Sequence, residues 1–142
     1  MKTLKRHFVI FCFLFAGKTL LAQGIAPVDT DSDGKLEIAT KDNLLYLSQN
    51  PSADWSLDYE QTADIIFDDA DFQNGGDFYN SGSGFSPIGN SSTGFTGTYD
   101  GNGYKISNLY TNRGATDFIG FFGQAGNNAE INNLGIVDAE IN

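Results

Sequence analysis

The segment Asp29-Thr30-Asp31-Ser32-Asp33-Gly34-Lys35-Leu36-Glu37 is the strongest chemical motif in the chain. Acids at its first, third and fifth positions, followed by Gly at the sixth, converge hard oxygens on one cation, because Gly permits the sharp bend that turns them inward. Lys35 at the seventh position can add its carbonyl, and Glu37 at the ninth can ligate directly or through water. Leu36 is the apolar anchor expected at the eighth. Thr40 stands at the twelfth position, where a bidentate Glu would complete an EF-hand, so the pattern is that of an open D-x-D-x-D-G calcium loop. Such a site should bind calcium at the weak extracellular end, on the order of 10⁻⁴–10⁻³ M. The alternative is a solvated acidic linker.

Three further constellations invite chemistry. Asp64, Asp68, Asp69 and Asp71 cluster behind an apolar strand and suggest the paired carboxylates of a glycoside hydrolase or a calcium-assisted lyase. A hydrolase needs two carboxyls about 5–9.5 Å apart across a cleft, and a lyase needs a basic side chain. A solvated acidic loop is the competing reading and the one adopted. Trp55, Tyr59, Phe78, Tyr79, Phe85, Tyr99 and Tyr104 could form a sugar-stacking platform or simply fill a core. Gly101-Asn102-Gly103 follows no strand–helix unit and has no basic companion, so it is not a phosphate cradle.

Composition narrows the chemistry. The 142 residues carry 8 Lys plus Arg against 18 Asp plus Glu, a net charge of −10. Lys2, Lys5, Arg6 and Lys18 lie in the first eighteen residues, and beyond residue 22 only Lys35, Lys41, Lys105 and Arg113 face all 18 acids, a balance of −14. The one His, one Cys and one Met (His7, Cys12 and Met1) also lie in that first segment. A mature chain would thus lack any imidazole or thiol nucleophile, His or Cys zinc ligands and disulfides. Nucleic acid is excluded as a partner because four scattered cations build no basic face. Three cations in residues 1–6, an apolar run from Phe8 to Ala16 and small Ala22 describe a secretory signal peptide over 1–22. The run is too short to span a bilayer, so the exported chain is not membrane-spanning after signal removal. The expected location is secreted or on a bacterial cell surface.

Elements must position these residues. The acidic loop occupies 23–39. Thr40 is placed to cap a helix over Lys41–Gln49 that ends at Asn50-Pro51. Trp55, Leu57 and Tyr59 alternate with polar residues as a half-buried strand would, Ala63–Phe67 reads as a second, and 68–94 reads as a long surface excursion, completing a region 40–94. Phe95, Gly97 and Tyr99 alternate again, Asp100–Gly103 forces a turn with positive φ, and Phe118–Gly123 reads as another strand. Ile106-Ser107-Asn108-Leu109 recurs 25 residues on as Ile131-Asn132-Asn133-Leu134. That period suits one coil of a parallel β-solenoid, with Ile106 under Ile131, Asn108 under Asn133 and Leu109 under Leu134. A Tyr99–Tyr104 hairpin inside an antiparallel sandwich is the alternative.

The run Phe95-Thr-Gly-Thr-Tyr-Asp-Gly-Asn-Gly-Tyr-Lys-Ile-Ser-Asn-Leu109, then Ile119-Gly-Phe-Phe-Gly123, then Ala129-Glu-Ile-Asn-Asn-Leu-Gly135, resembles the GLUG repeat of bacterial surface proteins. Phe121 stands where the family pattern has Leu. The stretches Tyr59–Ile65 and Phe85–Gly89 are similar to what precedes such repeats, so the resemblance covers roughly 29–142. It implies a right-handed parallel β-helix in secreted or surface-anchored proteins, often adhesins, with no catalytic residue in the repeat. Some members carry a metallopeptidase domain elsewhere in the chain. The expected fold is therefore all-β, an incomplete solenoid of few coils over 95–142 with a short N-terminal helix covering its open end. With barely two coils legible, the sequence suggests the front of a longer protein or a truncated product. The expected function is a non-catalytic adhesin-like or scaffold module, not itself an enzyme, meeting a surface glycan or an extracellular protein. The alternative is a non-catalytic segment of a polysaccharide-acting enzyme or metallopeptidase whose active part lies elsewhere.

Overall fold

A computed structural model describes residues 23–50, 54–114 and 116–142. The signal segment 1–22 and the Pro51 stop lie outside the described residues. Among the described residues, nine short strands and one α-helix, with two 3₁₀ turns at Asp69–Phe72 and Asn80–Gly82, make up the regular structure, in the order β1 (Leu36–Ile38), α1 (Lys41–Gln49), β2 (Tyr59–Gln61), β3 (Ile65–Ile66), β4 (Thr98–Asp100), β5 (Lys105–Ser107), β6 (Tyr110–Thr111), β7 (Glu130–Asn132), β8 (Gly135–Val137) and β9 (Glu140–Ile141). The regular structure of the described residues is mostly strand with one α-helix, in keeping with the expected all-β class.

Among the described residues every pair of named strands is parallel, and one isolated bridge, Gly84 to Thr111, is antiparallel. One sheet runs β1-β2-β4-β7, a second β3-β5-β8 and a third β6-β9. From β4 onward the chain visits the three sheets in turn twice, as β4-β5-β6 and then β7-β8-β9, each strand of the second round lying beside its counterpart in the first; before that, β1 and β2 both belong to the first sheet and β3 to the second. The Tyr99–Tyr104 hairpin is absent: Tyr99 pairs with Tyr59 and Ile131 instead.

Inward positions stack in columns. Leu36, Tyr59, Tyr99 and Ile131 form one, and Ile65, Ile106 and Ile136 another. Buried Gln61 stays satisfied because its Nε2 donates to the carbonyls of Ala63 and Lys105, at 2.8 and 3.1 Å, as a desolvated amide requires. Aromatic rings fill the space between columns. Phe85 stacks on Phe121 at 5.4 Å, and Phe121 meets Phe122 edge-on at 5.0 Å, each such pair adding about 0.5–1.5 kcal/mol beyond burial.

The expected register needs correction. Ile106 lies beside Ile136, not Ile131, and Ile131 lies beside Tyr99. Asn108 and Asn133 therefore form no ladder; they occupy equivalent corners in different sheets, both left-handed at φ 59° and 52°. The Ile-x-Asn-Leu motif marks a corner, where Asn tolerates positive φ, and a coil contains more than one. The Asp-Gly-Asn-Gly turn does take left-handed φ at Asn102 and Gly103 (50° and 78°). Gly101 sits so close to the turn after β7 that a Cβ would meet Asn133 O at 2.5 Å.

Three other expectations are corrected. Trp55 lies in a turn and is buried while Leu57 is exposed, so that alternation belongs to no strand. Phe118–Gly123 makes a single bridge, Phe122 to Ile88, and Phe118 itself is left-handed and exposed; closely spaced glycines leave this stretch without a continuous ladder. The 68–94 excursion returns Phe78, Phe85 and Ile88 to the core.

Helix α1 forms as its cap predicts. Thr40 Oγ1 accepts from Asn43 N at 3.2 Å, and Asn43 Oδ1 accepts from Thr40 N at 3.0 Å, a reciprocal capping box. Leu44, Leu45 and Leu47 are buried in the common core, and Trp55 Nε1 donates to Leu47 O at 2.8 Å. The helix joins β1 to β2, at the edge of the first sheet opposite β7.

Candidate functional site

The acidic loop leads directly into β1. Glu37 N donates to Val28 O at 3.0 Å, closing the loop at its base. Within it, Asp29 accepts from Ser32 N through Oδ1 (2.6 Å) and from Gly34 N through Oδ2 (3.0 Å). Asp31 Oδ1 accepts from Asp33 N at 3.2 Å, and Asp33 Oδ1 from Lys35 N at 2.8 Å. These are the local side-chain turns that short acids make with nearby backbone. Gly34, at φ 93°, supplies the sharp bend, a conformation that costs Gly nothing and other residues strain.

Glu37 is fixed from one side. Its Oε1 accepts from Thr30 N (2.7 Å) and Thr30 Oγ1 (2.6 Å), and the Thr30 hydroxyl and amide hold its carboxyl below the usual range. Its Oε2 is shielded from solvent and has no hydrogen-bond partner among the described residues.

Two overlapping triads of oxygens result. Asp29, Asp31 and Glu37 bring carboxylate oxygens within 4.8 Å of one another, and so do Asp31, Asp33 and Glu60. Glu60 is the residue that sequence reasoning missed. It lies on β2, in register with Glu37, and only knowledge of the strand pairing could reveal it. Lys35 Nζ sits 3.7 Å from Asp33 Oδ2 and 3.8 Å from Glu60 Oε2, so its ammonium now partly balances the cluster.

The outward face continues as a row of acids. Glu37 pairs with Glu60, and Glu60 with Asp100. Like charges directly opposite on neighbouring strands repel, and neutral amides answer them: Asn102 Nδ2 donates to Glu60 Oε2 and Asn133 Nδ2 to Asp100 Oδ1, both at 3.0 Å. The Asn133 amide, with the Asn102 N–H second, holds the Asp100 carboxyl below its ordinary range.

Three of the four carboxylates around β3 make structural contacts. Lys41 Nζ lies 2.8 Å from Asp71 Oδ2 and 3.3 Å from Asp68 Oδ2, and the Asp71 hydrogen bond chiefly raises the Lys41 pKa. Asp71 also caps its own 3₁₀ turn by accepting from Asp68 N, while Asp64 accepts from Lys105 N. The aromatic platform dissolves, because Trp55, Tyr59, Phe78, Phe85 and Tyr99 are buried. Burial pushes the Tyr99 hydroxyl well above its normal pKa.

No family model matches the chain, and no solved structure matches it. Two curated proteins are partially similar. Halomucin of Haloquadratum walsbyi is 45% identical over 64 residues, 44% of this chain and 1% of that protein. A protein named putative Gly-rich membrane protein, from Evansella cellulosilytica, is 40% identical over 55 residues, 39% of this chain and 6% of its own length. The chain thus spans only a small fraction of the relatives it matches. No helix among the described residues is long and apolar enough to cross a membrane.

Proposed function

We propose that the chain is an exported, non-catalytic adhesin-like or scaffold module of a bacterial surface protein, wound as a right-handed parallel β-helix of GLUG-like repeats. The observation that carries this reading is the set of three parallel sheets in which successive circuits of the chain stack strand on strand. A stack of that kind makes an extended, outward-facing surface with no need of an active-site cleft. The two partial relatives, one named halomucin and one named as a membrane protein, agree with a place at the cell surface.

The loop at Asp29, Asp31, Asp33 and Glu37 binds calcium in this reading, with Glu60 as a fifth carboxylate and the Lys35 carbonyl as a neutral ligand. The fit rests on the converging oxygens, the unpartnered Glu37 Oε2 and the juxtaposition of Glu37 and Glu60, which Lys35 balances only in part. A divalent ion would displace the Lys35 ammonium and tie the loop to β2, a strand of the stack. Calcium therefore acts as a staple at the first circuit, not as a reagent.

Labelled mature chain applied to intact cells and matrix proteins, beside turnover assays on polysaccharides and peptides, tests the reading. Binding without turnover is the expected result. Turnover abolished by Asp64→Asn or Asp68→Asn would overturn it.

A further inference from the structure

A groove of about 770 Å³ lies between the 69–82 segment and the corner that carries β6 and β9. Its volume falls within the range of small-ligand sites, roughly 300–1,000 Å³. Two kinds of side chain line it. Phe72, Tyr79 and Tyr110 are half-buried and present part of each ring, and Phe72 meets Tyr110 at 5.6 Å. Asp138 and Glu140 on the β6/β9 wall and Asp69 on the 69–82 wall supply carboxylates, and among the described residues no Lys or Arg joins them.

The backbone holds this wall under strain. Asn80, Ser81 and Gly82 are left-handed in succession, at φ 43°, 56° and 90°, directly after Tyr79. Non-Gly residues in that region cost of order 1–3 kcal/mol each and concentrate at ligand sites. Across the groove, Asn108 and Asp138 are left-handed as well, at 59° and 52°.

Carboxylates accept hydrogen bonds and donate none, so they suit a ligand rich in hydroxyl donors. Tyr combines an apolar face with a polar tip, which suits the flat face of a hydroxylated ring. Three acids with no cation repel an anionic ligand. A peptide laid against β6 as an added strand is disfavoured, because that backbone is paired on both sides: Glu140 N donates to Leu109 O at 2.8 Å, and Phe85 N to Tyr110 O at 2.9 Å.

We infer that this groove binds a neutral oligosaccharide, with Tyr79 stacking on a sugar ring and Asp69, Asp138 and Glu140 accepting from its hydroxyls. The inference deepens the surface-module reading and rests on it for access to such a ligand.

Isothermal titration of the chain from Gln23 onward with cellohexaose, chitohexaose and an oligogalacturonate of equal length provides the test. At least one neutral hexasaccharide should bind and the oligogalacturonate should not. Tyr79→Ala should weaken binding about tenfold. Asp69→Asn, at an exposed position where misfolding is not at issue, should weaken it about fivefold. Asp138→Asn with Glu140→Gln should admit the acidic oligomer. The assignment is overturned by no neutral binding at millimolar sugar, by binding indifferent to both Tyr79→Ala and Asp69→Asn, or by an oligolysine peptide that binds in the groove where the sugars do not. Cell-surface location is read separately, so loss of the groove leaves the module reading standing. Cleavage of a bound sugar would overturn the non-catalytic reading while keeping the groove.

Discussion

Replacing Ile106 with Ala should be far more damaging than replacing Ile136, although the two are neighbours in one column. Ile106 is fully buried between Ile65 on one side and Ile136 on the other, whereas Ile136 is 41% exposed and has a strand on one side only among the described residues. Deleting three carbons from a close-packed site removes their transfer energy and leaves a cavity, about 2–5 kcal/mol for Ile→Ala. The same deletion at Ile136 removes surface already half in water, and about 1 kcal/mol or less is expected. With roughly 2–8 °C of melting temperature per kcal/mol for domains near this size, Ile106→Ala should melt at least about 2 °C below Ile136→Ala. Urea unfolding followed by far-UV circular dichroism, with slopes compared to confirm equal surface exposure, gives the free energies directly. Equal costs at the two positions would refute the stacking order, because they would place Ile136 as deep as Ile106.

Other consequences follow from single contacts. Adding calcium at about 10 mM should raise stability by about 1.4–2.7 kcal/mol if affinity lies at 10⁻⁴–10⁻³ M, and an Asp31→Ala/Asp33→Ala chain should show no calcium-dependent rise in a thermal scan. Gly97→Ala should cost on the order of 2–4 kcal/mol in denaturant unfolding, since a Cβ there would run into the carbonyl oxygen of Leu57. Glu37 and Asp100 both have lowered pKa values when folded, so each contributes stability that is full above the unfolded carboxylate range near 4 and is lost as pH falls through the folded value. Asn133→Ala, which removes the main donor to Asp100, should flatten that acid limb in melts taken from pH 6 down to about 2.5.

Local chemistry was legible in the chain and long-range register was not. The Thr40 cap, the helix over Lys41–Gln49, the Asp29–Gly34 bend and the left-handed Asn102-Gly103 corner depend on neighbours a few residues away, where spacing and residue type decide the outcome. Register depends on how much chain each circuit consumes, and the circuits differ: Tyr59 to Tyr99 takes 40 residues and Tyr99 to Ile131 takes 32. A motif that serves corners of more than one sheet then recurs at 25 residues without reporting the length of a coil. The same gap hid Glu60, whose place beside Glu37 exists only in the paired sheet. The core role of Phe78, Phe85 and Ile88 was hidden by the Gly, Ser and Asn around them, a composition that reads as surface although the segment folds its aromatics back inside.

Export to the cell surface is the claim on which the functional account depends, and one experiment addresses it most directly. Cells producing the chain with its residues 1–22 intact are separated into cytoplasmic, membrane, envelope and medium fractions, and the protein's N-terminus is sequenced where it is found. The account predicts a chain outside the cytoplasmic membrane that begins at or within a residue or two of Gln23. A chain that stays in the cytoplasm with residues 1–22 still attached would contradict it.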